Sequence, residues 1–125
     1  MMGTLVQVAL GGALGASGRY LTGLAALRLL GAGFPWGTLA VNVIGSFAMG
    51  VLVVVLAQVN GTRFAPFLMT GLLGGFTTFS AFSLDALTLW QRGETWAAGA
   101  YVMASVILSL VAIAAGFILA RSLIA

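Results

Sequence analysis

Apolar residues along this chain come in four long runs, at about residues 4–27, 37–59, 64–90 and 97–120, separated by short polar breaks. About 20 apolar residues in a helix cross the hydrocarbon core of a bilayer, so each run is long enough to span it. The pattern predicts an all-α membrane protein: one domain over 1–125 with four transmembrane helices. The breaks carry turn chemistry. Gly31, Gly33 and Pro35 stop the first helix beside Phe34 and Trp36, which suit the membrane interface. Asn60-Gly61-Thr62-Arg63 and Arg92-Gly93-Glu94 form the other two loops. The start, Met1-Met2-Gly3-Thr4, lacks the basic region of a signal peptide, so the first run is read as a retained span.

The third run is the irregular one. It holds 27 residues, more than a crossing needs, and contains Gly71-Leu72-Leu73-Gly74-Gly75-Phe76-Thr77-Thr78-Phe79-Ser80-Ala81-Phe82-Ser83. Paired glycines and β-branched threonines disfavour helix. The arithmetic midpoint is residue 77, so a break over 74–77 is expected near the bilayer midplane. Loose backbone at that depth is tolerated only where it is buried in protein or lines an ion or water path. Freed carbonyl oxygens are hard ligands for a small cation, while a fresh helix N-terminus favours an anion. Phe79 and Phe82 share a helical face, and aromatic ring edges are the positive part of the ring quadrupole. Two phenylalanines at this spacing also suit plain packing.

Other polar residues stand out against the apolar background. Gly11 and Gly15 make a close-packing pair whose face continues to Arg19. Arg19 either snorkels to the interface or is held buried. Asn42 shares a face with Gly45 and Met49, with Ser46 beside them. It is read either as an interhelical hydrogen bond or as a donor on a polar path. Tyr101, Ser105 and Ser109 recur at intervals of four and share one face of the fourth run. Serines there commonly bond their own backbone, so that reading stays open too.

Composition narrows the function. Hydrophobic residues are 62% and charged residues 6%, against about 25% charged in soluble domains, with mean hydropathy +1.18. With neither Cys nor His, and only Asp85 and Glu94 as acids, the chain has no set of groups for enzymatic chemistry. Its five arginines are scattered, which excludes a nucleic-acid surface. They also balance across the membrane. Arg63 and Arg121 fall on the side of the termini, Arg28 and Arg92 on the other. Orientation follows the Lys/Arg bias of the loops, and here there is almost none. Copies are therefore expected to insert both ways up and to pair as an antiparallel homodimer about an axis through the midplane. Asp85, near the same membrane side as Arg19, is expected to neutralise it.

Three blocks of the chain resemble the Fluc (CrcB-type) fluoride channels: Gly-Gly-x-x-Gly-Ala-x-x-Arg-Tyr from Gly11, Gly-Thr-Leu-x-Val-Asn-x-x-Gly-Ser-Phe-x-x-Gly from Gly37, and Gly-x-x-Gly-Gly-Phe-Thr-Thr-Phe-Ser-x-Phe-Ser from Gly71. The resemblance implies a dual-topology homodimer in the plasma membrane (a bacterial inner membrane) that lets fluoride leave the cell passively through two pathways. It also implies one structural Na⁺ at the dimer centre, on main-chain oxygens of Gly74 and Thr77. By the same carry-over Asn42, Phe79, Phe82 and Arg19 belong to the ion pathway, with Tyr101, Ser105 and Ser109 as later polar positions. Ala81 departs from the family, which often has Thr there, and a hydroxyl is missing at that point. The rival readings are a small four-span antiporter, a cation channel or a non-transporting assembly subunit. The antiporter wants a carboxylate deep in the membrane, and Asp85 lies near an end.

Overall fold

The computed structural model describes residues 1–124, and they are all-helical. Helix α1 runs Met2–Leu30 and α2 runs Trp36–Gln58. The third run is in pieces. A short 3₁₀ turn, Thr62–Phe64, precedes a wide π-wound segment, Pro66–Leu73, and a single α-turn, α3, at Gly74–Phe76. After a break, α4 covers Ser80–Gln91 and α5 covers Thr95–Ile124. Gly31 and Gly93, with φ of 81° and 83°, end α1 and follow α4 in a backbone region that glycine enters without steric cost.

By length and apolarity, Trp36–Gln58, Thr62–Gln91 and Thr95–Ile124 can each cross a membrane. The fourth long helix, α1, has the length, 29 residues, with Gln7, Arg19 and six glycines lowering its apolar character. Large apolar side chains such as Leu14, Ile107, Leu110 and Ile118 face outward, as lipid-facing positions should.

Two glycine seams hold the helices together. In one, α1 lies against the third run, and a Cβ on Gly75 would sit 2.8 Å from the Gly12 carbonyl oxygen. In the other, α2 lies against α5. A Cβ on Gly50 would sit 2.9 Å from the Phe117 nitrogen, and one on Gly116 would be 3.2 Å from the Val51 nitrogen. Without a hydrophobic driving force between helices in lipid, such backbone contact supplies the dispersion energy of association. A smaller core joins α2, α4 and α5 through Leu39, Phe82, Leu89, Ala98 and Tyr101.

The third run does break, but later than the glycines suggest. Gly74 and Gly75 stay helical, and the irregular residues are 77–79. Thr77 is extended, with ψ 160°. The helical cost of a glycine is only about 1 kcal/mol. Close packing of Gly75 on α1 offsets it, and the break passes to the threonines.

Candidate functional site

The geometry of the break is set from α2. Asn42 Oδ1 accepts the Thr78 backbone N–H at 2.8 Å, and Asn42 Nδ2 donates to the Thr78 carbonyl at 2.9 Å. Gly45, one turn on, lies against the Thr77 methyl group, where a Cβ would leave no room. Within the third run, the Thr77 hydroxyl and N–H both bond the Leu73 carbonyl, at 2.9 and 3.0 Å. The Ala81 N–H is taken by the Thr78 hydroxyl at 3.1 Å.

Among the carbonyl oxygens this arrangement leaves over are two whose helical donors are diverted. In an unbroken helix Thr78 N–H would bond the Gly74 carbonyl, and Ala81 N–H the Thr77 carbonyl. Both donors point elsewhere, and among the described residues no hydrogen bond reaches either oxygen. Gly74 itself is exposed on the surface of the protomer. Two hard, neutral oxygens three residues apart suit an alkali cation, which unwound membrane helices bind through carbonyls. No cluster of His, Cys, Asp or Glu offers a rival metal site among the described residues.

An open groove of about 460 Å³ runs past the break. Asn42, Ser46, Gly74, Thr77, Phe79, Phe82, Ser105 and Ser109 line it. The Phe79 and Phe82 rings are 5.2 Å apart between centroids and tilted by 55°. Phe82 is buried, whereas Phe79 is 76% exposed at the groove's edge. Ser105 is buried; its Oγ lies near the Tyr101 hydroxyl but makes no well-formed hydrogen bond. Ser17, Thr22, Ser83, Thr88 and Ser122 all bond the carbonyl four residues back. Ser105 does not follow that local habit. Amide, hydroxyl and aromatic groups line the groove together with the aliphatic Val106 and Leu110, and no carboxylate does; α4 begins beside it at Ser80 with its N–H groups leading.

Two of the expected residues lie elsewhere. Tyr101 is wholly buried behind Phe82, with centroids 5.3 Å apart, and Phe34 meets it edge-on at 5.4 Å. Its hydroxyl donates to Asp85 Oδ2 at 3.1 Å. Arg19 reaches across the opposite face of the break, where Nε donates to the Gly75 carbonyl at 3.1 Å. It lines a separate hollow of about 350 Å³ with Thr38, Thr78 and Ala81. The Ala81 methyl therefore belongs to the arginine's side and not to the groove. The expected Arg19–Asp85 neutralisation is not made. Each has found a neutral partner, and the ion pair among the described residues is Arg92 with Glu94, at 3.6 Å in the last loop.

The two-way clamp of Asn42 on Thr78 has no signature in the sequence. Asn42 was legible as a polar residue in an apolar helix, but nothing in its neighbours named Thr78. Ser46 was visible only as a companion of Asn42. The π-wound segment left no trace in composition.

Residues 6–117 match the family model described as CrcB-like protein, Camphor Resistance (CrcB). Among relatives, a protein of Cereibacter sphaeroides named fluoride-specific ion channel FluC is 64% identical over 121 residues, covering 97% of each chain. One of Paracoccus denitrificans with the same name is 56% identical over 125 residues, covering both chains fully. A third, from Mesorhizobium japonicum, is 52% identical over 98% of this chain and 99% of its own.

Proposed function

The chain belongs to the CrcB-like family, and on that premise we propose that it is a multi-pass membrane channel that passes fluoride down its gradient, as its FluC-named relatives do. The single observation that carries the reading is the groove at the break. Its polar lining is amide and hydroxyl with no carboxylate, set among Phe79, Phe82, Val106 and Leu110 beside the start of α4. Fluoride is small and strongly hydrated, so a path must replace water's hydrogen bonds. Ser105 Oγ is a buried hydroxyl with no well-formed hydrogen bond, available to donate. Asn42 Nδ2 keeps one of its two N–H donors after bonding Thr78. The Phe79 and Phe82 rings line the same groove, and the edge of such a ring is its positive part. None of these groups needs to ionise, so no proton is exchanged for the anion. Arg19, on the far side of the break, adds positive potential and anchors the Gly75 carbonyl. Tyr101 acts differently from Ser105. Its proton is held by Asp85, so it braces Phe82 from behind instead of donating to the groove.

The functional unit we propose is an antiparallel pair of four-span copies. The arginine tally supports insertion both ways up. The exposed Phe79 supports a partner surface at the groove. Gly74 and Thr77 of one protomer supply two carbonyls, so Na⁺ held by them needs the same oxygens from a second copy to complete four. A cation there would tie the two breaks together and make the centre more positive. C-terminal tags on intact cells should react from both sides of the membrane. Labelling from one side alone would remove the dual-topology part.

Proteoliposomes loaded with fluoride and with chloride test the channel itself. Fluoride should leave electrogenically, chloride should stay, and no pH change should accompany the flux. Cation flux, or proton-coupled exchange, would favour the rivals.

A further inference from the structure

The Gly74 and Thr77 carbonyls lack donors because two other groups intercept the N–H groups that would bond them in a helix. Thr78 N–H is four residues from Gly74, the spacing of an α-helical bond, but Asn42 Oδ1 takes it at 2.8 Å. Ala81 N–H is four residues from Thr77, but the Thr78 hydroxyl takes it at 3.1 Å. A threonine hydroxyl that offers backbone N–H an alternative partner competes directly with helix formation. A buried backbone donor must go somewhere, so removing the interceptor returns it to its helical acceptor. We propose that Asn42 and the Thr78 hydroxyl are positioning residues for the central cation: they hold the Gly74 and Thr77 carbonyls open by diverting the N–H groups that would otherwise close on them. The inference rests on the reading of those two oxygens as cation ligands.

Neither side chain needs to touch the ion. Asn42 acts from α2, so the groove and the cation site are coupled through one amide, which lines the first and opens the second. The Thr78 hydroxyl acts locally, within its own turn.

The test is Na⁺-dependent thermal stability of the purified full-length channel, titrated from Na⁺-free choline medium. The midpoint Na⁺ concentration is the readout, because a merely structural loss lowers the melting temperature without moving the midpoint. Thr78→Val keeps the shape and removes the acceptor; Thr78→Ser keeps the acceptor. A re-formed backbone hydrogen bond must be broken before Na⁺ can bind, so Thr78→Val and Asn42→Ala should each raise the midpoint by about tenfold. Thr78→Ser should stay within about twofold of the parent on the same reasoning. If Asn42→Ala does not fold, the Thr78 pair decides alone. Unchanged midpoints in a parent that responds to Na⁺, or Ser and Val shifting alike, overturn the inference while the cation site stands. A parent with no response to Na⁺ overturns the cation site and the inference with it.

Discussion

Fluoride efflux through Ser105→Ala is expected to fall by about tenfold or more, while the protein melts no lower than the parent. The two effects run in opposite directions for one physical reason. Ser105 Oγ is buried and makes no well-formed hydrogen bond within the chain. An unsatisfied buried polar group costs about 1–3 kcal/mol, and alanine removes that cost. A hydrogen bond to a charged guest is worth about 1.5–3 kcal/mol, so the passing anion loses roughly ten- to hundredfold in occupancy or passage. A packing serine would behave otherwise: its loss would leave flux alone. The paired measurement is efflux from proteoliposomes and thermal melting in detergent. Full flux in Ser105→Ala would remove Ser105 from the pathway.

Gly116→Val should abolish the folded channel altogether. The Cβ of any larger residue there would meet the Phe47 carbonyl oxygen, with the Phe47 carbon at 3.1 Å and the Val51 nitrogen at 3.2 Å. These are backbone atoms of α2, so no rotamer change relieves the clash. Overpacking in an adaptable core costs about 1–3 kcal/mol. Here the two most apolar helices must part, and Gly50 loses its contact with Ile113 and Phe117 in the same movement. Size-exclusion of the solubilised protein should show aggregate in place of a single peak. Gly99→Ala is the control. Nothing lies within 4 Å of a Cβ there, so that variant should purify and conduct like the parent. A monodisperse Gly116→Val protein would mean that the α2–α5 seam is not what holds the protomer together.

How far the chain could be read in advance varies along it. The run lengths and the absence of charge made the helical membrane class plain, because water and lipid sort residues by polarity whatever the tertiary fold. The third run announced a break through its glycines and threonines. The break opens at 77–79, past the glycines, because Gly75 serves close approach to α1 and stays helical. Serine spacing placed Ser105 and Ser109 on one face, and both line the groove. The same spacing included Tyr101, yet its longer side chain passes behind Phe82 to Asp85. Opposite charges at similar depth suggested an Arg19–Asp85 pair. Depth says nothing of which side of a helix each faces, and they face different hollows.

By itself, then, the sequence determined the class of protein, the four apolar runs, the irregular third run and most of the polar residues that gather beside it. Those follow from hydropathy and local propensity, which act on a segment without reference to its neighbours. The tertiary structure alone decided where the third run opens and which oxygens it leaves free. That outcome is a competition for single N–H groups. It is settled by an amide reaching from α2 to Thr78, a partner no spacing within either helix could name.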